Sequence, residues 1–381
     1  MPDAAVGAPP WYTCANRPIP DPIEERTMTE NTDKPYVLLK GAMIDPVDTE
    51  RLEAMREHLH DYSVLVQPED EVVEQIIDRV EIVFGSLPAH LWEKARALRW
   101  IQLQSAGIDP VPRDIDTSSI TVTTASGVHA DPISEHLLAM ILFFARDFGR
   151  AVDDQRSHYW RSERDHDLFE LSGRRVLLLG TGAIGDAFAY KARALGMEIV
   201  GMKRNPHRPP QIVSGEDEAA PHGMPGLHGH GMPDTTGGGG IYKRIVGHDS
   251  LAEELPASDM AVITLPETAE TRHMLGPHEL SLLPSHALVF NIGRGGVIDQ
   301  NALVEALHSG TIAGAGLDVF DPEPLENDSP LWDMENVLVT THYSGMTPMY
   351  SQRLWSIFLD NCARYTAGRA MRNAAGVRRG Y

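Results

Sequence analysis

The chain has 381 residues, of which 42% are hydrophobic, and it carries a formal net charge of −21. The length predicts two domains, and the acidic balance argues against nucleic-acid binding, while leaving open whether the charge serves solubility or adaptation to high salt. The longest apolar run, Leu137–Ala145, is too short to span a membrane, no secretory signal is recognisable, and two cysteines fit a reducing compartment, so we expect a cytoplasmic protein.

Residues 1–33 are rich in Pro, Asp, Glu and Thr without periodicity, which predicts a disordered extension. From Tyr36 onward, strand-like and helix-like stretches alternate. One helix would place Leu52, Met55 and Leu59 on a single face, and the predicted strands cover 36–39, 63–66, 82–86 and 99–107. This alternation predicts an α/β protein with a parallel sheet covered by helices.

A long helix is predicted from Asp131 to about residue 160, with Asp131 as its N-cap and Pro132 in its first turn. Its apolar face is wider than one core requires. Two interpretations follow: the helix packs across a subunit interface, or it is a core helix within one chain.

A second alternating block runs from Arg174 to His342, interrupted at 214–240 by a Gly- and Pro-rich segment that predicts a mobile surface insertion. Its histidines His222, His228 and His230 are a candidate metal site, but no cysteine or carboxylate cluster accompanies them, so we expect no metal. An amphipathic helix over 348–366 and a basic tail follow.

The most informative stretch, RRVLLLGTGAIG, joins a strand at 176–179 to a helix through Gly180, Gly182 and Gly185. This spacing inside a βαβ unit is typical of a dinucleotide site. Gly180 would permit a tight turn, Gly182 would let a pyrophosphate approach the backbone, and Gly185 would let helix and strand pack closely. A later strand ends at Thr264, Leu265 and Pro266, at the edge where such sheets bind ligands.

The next strand, EIVGM, is followed by Lys203, Arg204 and Asn205, at the place where NAD-specific sheets carry an acid. Two cations would attract a 2′-phosphate, whereas a carboxylate would repel it. We therefore expect NADP(H) to be favoured, with NAD(H) possible. The alternative is that both cations are solvated surface charges.

Three chemically matched side chains follow later strands: Arg294 in NIGRGGVID, Glu323 in GLDVFDPEPL and His342 in NVLVTTHYSG. An arginine can hold a substrate carboxylate and polarise its ketone. A histidine can donate a proton to the ketone oxygen while a carboxylate fixes the histidine's tautomer. We expect the glycines around Arg294 to leave room for substrate and nicotinamide.

These motifs, together with LRWIQLQSAGID, SEHLLAMIL, LPETAETRHML and SPLWDMENVLVTTH, resemble the D-isomer-specific 2-hydroxyacid dehydrogenase family, and most of all its glyoxylate/hydroxypyruvate reductases, over roughly residues 36–366. The resemblance implies two domains. A Rossmann-type dinucleotide-binding domain would span 131–342, and a discontinuous flavodoxin-like substrate domain would span 34–130 and 343–381. It also implies a homodimer built by the 131–160 helix.

The resemblance further implies roles for individual residues. Arg294, Glu323 and His342 would be catalytic, and backbone amides near Ser105, Ala106 and Gly107 would bind the substrate carboxylate with Arg294. Asp318 would hold the nicotinamide amide. The implied cofactor site comprises Gly180, Thr181, Gly182, Ala183, Ile184, Gly185, Lys203, Arg204, Asn205, Leu265, Pro266, Ile292, Gly293, Arg294, Asp318, His342 and Gly345.

Three departures from the family pattern stand out: Thr341 replaces the proline common before the catalytic histidine, Lys203 replaces the usual acid, and the insertion at 214–240 is not typical of the family. The expected activity is reduction of a small 2-keto acid such as glyoxylate, hydroxypyruvate or pyruvate. D-3-phosphoglycerate dehydrogenase is an alternative, although the chain leaves little room after residue 366 for its frequent regulatory domain. A non-catalytic NAD(H)-sensing protein of the corepressor type is an alternative from another class.

Overall fold

The computed structural model describes residues 34–45, 47–108, 110–112, 119–206 and 240–375. The described residues form two compact units: the first runs to Val128 and resumes at Thr347, and the second runs from His129 to Met346. The predicted extension at 1–33, the insertion at 214–240 apart from Gly240, and the three candidate metal histidines lie outside the described residues.

The strands among the described residues are β1 Tyr36–Lys40, β2 Ser63–Val66, β3 Val80–Gly85, β4 Trp100–Gln102, β5 Thr121–Thr123, β6 Arg175–Leu179, β7 Glu198–Met202, β8 Arg244–Val246, β9 Met260–Ile263, β10 Leu288–Asn291, β11 Gly314–Leu317 and β12 Val337–Val339. The α-helices are α1 Thr49–His58, α2 Asp70–Ile76, α3 Ala130–Ala145, α4 Phe148–Ser157, α5 Ala183–Ala194, α6 Leu251–Glu254, α7 Pro277–Leu282, α8 Gln300–His308 and α9 Tyr350–Thr366. None of these helices is long and apolar enough to cross a membrane.

The first unit is built on a parallel sheet in the order β2-β1-β3-β4-β5, the flavodoxin-like order. Side chains along β1 alternate between its faces, with Val37 and Leu39 in one hydrophobic cluster and Leu38 in the other. The C-terminal α9 covers one face, where Phe358 stacks on Phe84 with ring centroids 4.0 Å apart. The first unit therefore combines sequence from both ends of the chain.

The second unit contains a parallel seven-stranded sheet in the order β12-β11-β10-β9-β6-β7-β8. Counted from β6, this is the Rossmann order with one added strand, so the predicted α/β fold class is confirmed. In the registers of β9, β10 and β11, Asn291 pairs with Ile263 on one side and Leu317 on the other. The segments that follow these three strands therefore start side by side at the carboxyl edge of the sheet.

The predicted single helix over 131–160 is wrong, because the chain breaks after Ala145. Asp147 has φ +55°, a left-handed conformation that ends α3 before α4 begins. A returning segment stabilises the break: His166 Nδ1 donates to Asp147 Oδ2 at 2.9 Å, and Phe169 N donates to Ala145 O at 3.2 Å. The predicted N-cap was also wrong, since the cap position is His129 and Asp131 lies in the first turn.

Candidate active site

The turn GTGAIG joins β6 to α5 in the second unit. Gly180 has φ +112°, which L side chains rarely adopt, and its carbonyl accepts a 2.9 Å hydrogen bond from the Thr264 hydroxyl. A Cβ on Gly185 would lie 2.2 Å from the Gly180 oxygen. The expected tight turn at Gly180 and close helix–strand packing at Gly185 are therefore confirmed.

Gly182, the residue before α5, faces open space, since a Cβ there would meet no atom of the described residues within 4 Å. No described side chain caps α5, so the N–H groups of its first turn can bind an anion with the help of the helix dipole. The buried Thr181 hydroxyl has no hydrogen-bond partner among the described residues. Together these features fit a dinucleotide whose pyrophosphate lies at the N-terminus of α5.

Lys203, Arg204 and Asn205 directly follow β7, and the Lys203 amide donates to Val246 O at 3.1 Å. Arg204 Nη2 lies 2.5 Å from Glu270 Oε2. The sequence indeed has no acid at the end of β7, but the fold brings a carboxylate there from the segment after β9. Sequence reasoning missed Glu270 because no local pattern connects it with Arg204.

Arg294 is exposed at the end of β10, on a loop that Asn291 organises. The Asn291 amide donates to Arg294 O and accepts from Gly293 N, both at 3.0 Å. The guanidinium itself donates to Gly293 O at 2.8 Å. The buried asparagine thus fixes the backbone that presents the arginine.

The glycines beside Arg294 pack against protein backbone. A Cβ on Gly293 would lie 2.5 Å from Leu265 O, and a Cβ on Gly295 would lie 1.9 Å from Phe320 O. The expectation that these two glycines leave room for substrate and nicotinamide was therefore wrong. They allow the loop after β10 to contact the backbone of the loops after β9 and β11.

Glu323 and His342, in the loops that follow β11 and β12, form a direct pair. His342 Nδ1 donates to Glu323 Oε2 at 2.7 Å, while Glu323 Oε1 accepts from Phe320 N at 2.9 Å. The histidine side chain is 50% exposed. Because the carboxylate holds the Nδ1 proton, Nε2 is the ring nitrogen that can exchange a proton with a substrate.

Asp318 is completely buried and faces the segment that carries His342. Its Oδ1 accepts from the Thr340 hydroxyl at 2.5 Å and from Tyr343 N at 3.2 Å, and its Oδ2 accepts from Ser344 N at 3.1 Å. His342 itself has φ +55°, a costly conformation for a residue with a side chain. These hydrogen bonds hold that turn in place. No part of Asp318 is exposed to receive the nicotinamide amide.

His136, on α3, extends the same buried network and was not identified from the sequence. Its Nε2 lies 3.1 Å from the Thr340 hydroxyl and 3.9 Å from Asp318 Oδ1. Burial lowers the pKa of His136 against a weaker opposing effect of Asp318, which favours the neutral ring. Nearby, His129 Nδ1 donates to Gly345 O at 2.9 Å and anchors the end of the segment that carries His342.

Arg272 forms ion pairs with carboxylates in the loops after β9 and β11. Its Nη2 lies 2.8 Å from Asp321 Oδ2, and its Nη1 pairs with the Glu267 carboxylate. Both carboxylates raise the pKa of Arg272, as expected for a shared ion pair. The loop that carries Glu323 is thereby linked to the loop that carries Leu265, which is largely buried.

In the first unit, the loop after β4 carries Ser105, Ala106 and Gly107. The Ser105 hydroxyl donates to Gly107 O at 2.7 Å, and the preceding Gln104 side chain donates to Lys40 O at 3.2 Å. These contacts fix the loop at the carboxyl edge of the sheet and leave Ala106 exposed.

Most of the predicted site residues follow β6, β7, β9, β10, β11 or β12, and these residues lie at one edge of the sheet of the second unit. They are Gly180, Thr181, Gly182, Ala183, Ile184, Gly185, Lys203, Arg204, Asn205, Leu265, Pro266, Ile292, Gly293, Arg294, Asp318, Glu323, His342 and Gly345. Within the described residues, no three His, Cys, Asp or Glu side chains are arranged to hold a metal ion.

The chain is similar in sequence to one family of known proteins. The model of the family "D-isomer specific 2-hydroxyacid dehydrogenase, NAD binding domain" matches residues 138–221 and 235–344. The chain is 30% identical over 307 residues to a glyoxylate reductase of Thermococcus litoralis, covering 78% of this chain and 83% of that protein.

The chain is also similar to two further proteins. A D-3-phosphoglycerate dehydrogenase of Methanocaldococcus jannaschii is 25% identical over 344 residues, covering 89% of this chain and 60% of that protein. A solved D-isomer specific 2-hydroxyacid dehydrogenase of Xanthobacter autotrophicus Py2, in complex with NADPH and MES, has 25% identity and a TM-score of 0.66, covering 91% of this chain and 100% of that chain.

Proposed function

We propose a specific reaction for this chain, which belongs to the D-isomer-specific 2-hydroxyacid dehydrogenase family and is an NAD(P)-dependent oxidoreductase. The reaction is reduction of a small 2-keto acid, of the glyoxylate, hydroxypyruvate or pyruvate type, to the D-2-hydroxy acid. The observation that carries this proposal is the 2.7 Å hydrogen bond from His342 Nδ1 to Glu323 Oε2, at the sheet edge that also bears Arg294.

Substrate binding is assigned to Arg294 in the second unit. A guanidinium presents parallel N–H donors that match a carboxylate and an adjacent ketone oxygen. Binding there would orient the keto acid and draw electron density toward the ketone oxygen.

Proton transfer is assigned to His342. Glu323 keeps Nδ1 protonated and stabilises the imidazolium, so Nε2–H can donate to the ketone oxygen as the carbon is reduced. NADPH or NADH supplies the hydride when it is bound. One hydride and one proton convert the ketone to the alcohol, and His342 is left neutral.

A panel of keto acids tests the proposal. Purified protein is mixed with NADPH or NADH and with glyoxylate, hydroxypyruvate, pyruvate or 3-phosphohydroxypyruvate, and the loss of nicotinamide absorbance is followed. Turnover of one of the first three acids is expected. Strong preference for the phosphorylated acid would replace the proposal by a phosphoglycerate dehydrogenase, and no turnover with any acid would favour an NAD(H)-sensing binding protein.

The substitution Arg294→Ala tests the substrate-binding role. We expect turnover to be abolished while NADPH still binds, because the pyrophosphate contacts assigned to α5 remain intact. NADPH binding is measured by calorimetry. Activity retained at the wild-type level would refute the assignment.

We infer a preference for NADP(H) from Lys203 and Arg204 at the end of β7, and the NADPH-bound relative supports this choice. The double substitution Lys203→Asp with Arg204→Ala should shift the ratio of kcat/KM values toward NADH. An unchanged NADPH-to-NADH ratio would contradict the assignment of this pocket.

We further propose a homodimer through α3, α4 and the segment that follows. One face of α3 packs inside the second unit, but Phe148 is 52% exposed and Trp160 is 95% exposed. Exposed aromatic side chains of this size are typical of interfaces. Sedimentation equilibrium should give a dimer for the wild type and a monomer for Phe148→Glu combined with Trp160→Glu. A wild-type monomer would contradict the proposal.

A further inference from the structure

The ion pair between Arg204 and Glu270 lies at the end of β7, where the proposed function places the adenosine 2′ position. Arg204 Nη2 and Glu270 Oε2 are 2.5 Å apart, and the two side chains are 51% and 60% exposed. A pair that is so open to solvent contributes little to stability. Its arginine can therefore exchange the carboxylate for another anion at small cost.

Glu270 is presented by a well-anchored turn. The buried hydroxyl of Thr271 donates to Pro266 O at 2.7 Å and accepts from Thr268 N at 2.8 Å. The turn directly follows the segment after β9, which borders β6 at the carboxyl edge. The carboxylate is thus held near the pocket by its backbone, and it remains there when Arg204 moves.

Other charged groups surround this pair. Lys203 precedes Arg204, and His248 interacts electrostatically with both partners. Burial first, and then the charge of Arg204, lowers the pKa of His248, while Glu270 and Asp249 act in the opposite direction. The pocket therefore contains both signs of charge. Its affinity for a phosphate depends on their balance.

We propose that Glu270 is an internal counter-ion of Arg204 that weakens binding of a 2′-phosphate and so narrows the preference for NADPH over NADH. A 2′-phosphate must displace Glu270 from Arg204 and then remain close to that carboxylate, which repels it. A 2′-hydroxyl meets neither penalty. This inference rests on the proposed function, because it assigns the same pocket to the adenosine end of the cofactor.

The test compares binding of 2′,5′-ADP and 5′-ADP, which differ only in the 2′-phosphate, by calorimetry at low ionic strength. E270Q should bind 2′,5′-ADP about two- to fivefold more tightly than wild type, the range expected for an exposed ion pair. Its affinity for 5′-ADP should be unchanged. High salt should reduce the gain, because exposed charges are screened.

Two controls sharpen the comparison. E198Q removes a carboxylate from a similar ion pair with Lys243, at the opposite end of β7, and should change neither affinity. In the R204A background, the gain from E270Q should be smaller, because only the direct repulsion between Glu270 and the phosphate remains to be relieved. Equal affinity of wild type and E270Q for 2′,5′-ADP would overturn the inference, even if the enzyme turns over NADPH. Failure of both proteins to bind 2′,5′-ADP would overturn both the inference and the assignment of NADP(H) as the preferred cofactor. Binding without keto-acid turnover would leave this inference standing and refute only the proposed reaction.

Discussion

Replacing Glu323 by Gln would reverse the hydrogen bond between Glu323 and His342, the pair that we propose to be catalytic. Glu323 Oε1 accepts from Phe320 N at 2.9 Å, and Oε2 accepts from His342 Nδ1 at 2.7 Å. The glutamine carbonyl must remain on the Phe320 amide, because an NH2 group cannot accept that hydrogen bond. Its NH2 group then faces Nδ1 and requires an unprotonated nitrogen there. The imidazolium that we propose as the acid is therefore disfavoured.

The size of the effect follows from the exposure of the pair. Hydrogen bonds to charged groups contribute about 1.5–3 kcal/mol. Since the His342 side chain is 50% exposed and that of Glu323 is 35% exposed, solvent screening reduces this to about 1–2 kcal/mol. A loss of that size in the transition state lowers kcat by about 5- to 30-fold. Global stability should change by less than about 1 kcal/mol.

The assay measures kcat with the best keto acid, NADPH affinity and thermal unfolding for the wild type, E323Q and E326Q. Glu326 is an exposed carboxylate further along the same loop and serves as the matched control. Only E323Q should lose activity, with its NADPH affinity and unfolding temperature unchanged. A folded E323Q enzyme with wild-type kcat would refute the proposed role of this pair.

Three further predictions address the binding turn and the buried network. Gly182→Val should weaken NADPH binding more than tenfold without lowering the unfolding temperature, because the valine side chain would extend into open space where the cofactor is proposed to bind. Gly185→Ala should lower the unfolding temperature, because the alanine Cβ would lie 2.2 Å from a carbonyl oxygen. Equal unfolding temperatures for these two variants would contradict both assignments. Asp318→Asn should cost about 2 kcal/mol in urea unfolding and lower kcat, because one buried N–H or O–H loses its acceptor; unchanged stability would count against the network. Because burial lowers the pKa of His136 from its ordinary value of 6.5, the unfolded chain binds this proton more readily and wild-type stability falls as pH drops through about 6.5. His136→Gln should reduce this loss of stability at low pH. If the free energy of unfolding of the variant and of the wild type falls equally with pH, the role assigned to His136 is refuted.

The parts of the site that the sequence predicts depend on local backbone requirements. Gly180 and Gly185 stand in a short motif whose spacing alone requires a positive φ and a close helix contact. Arg294, Glu323 and His342 each lie in the loop that follows an apolar, strand-like run. Parallel strands bring such positions to one edge, so their proximity to a common edge can be predicted without coordinates.

The parts that escaped prediction depend on contacts between distant segments. Glu270 meets Arg204 only because β9 and β7 flank β6 in the sheet. The break after Ala145 is stabilised by His166 and Phe169, which return to it later in the chain, while the apolar pattern continues smoothly across it. The packing of Gly295 against Phe320 likewise joins the loops after β10 and β11, which α8 separates in the chain.

The central claim is that His342, held by Glu323, donates a proton to a 2-keto acid as it is reduced. The most direct measurement is kcat for His342→Gln with the best keto acid, together with NADPH affinity measured by calorimetry. The account predicts that kcat falls by about 10²- to 10⁴-fold, the usual contribution of a general acid, while NADPH still binds. Turnover within about threefold of the wild type, which is only about 0.7 kcal/mol in the barrier, would contradict it.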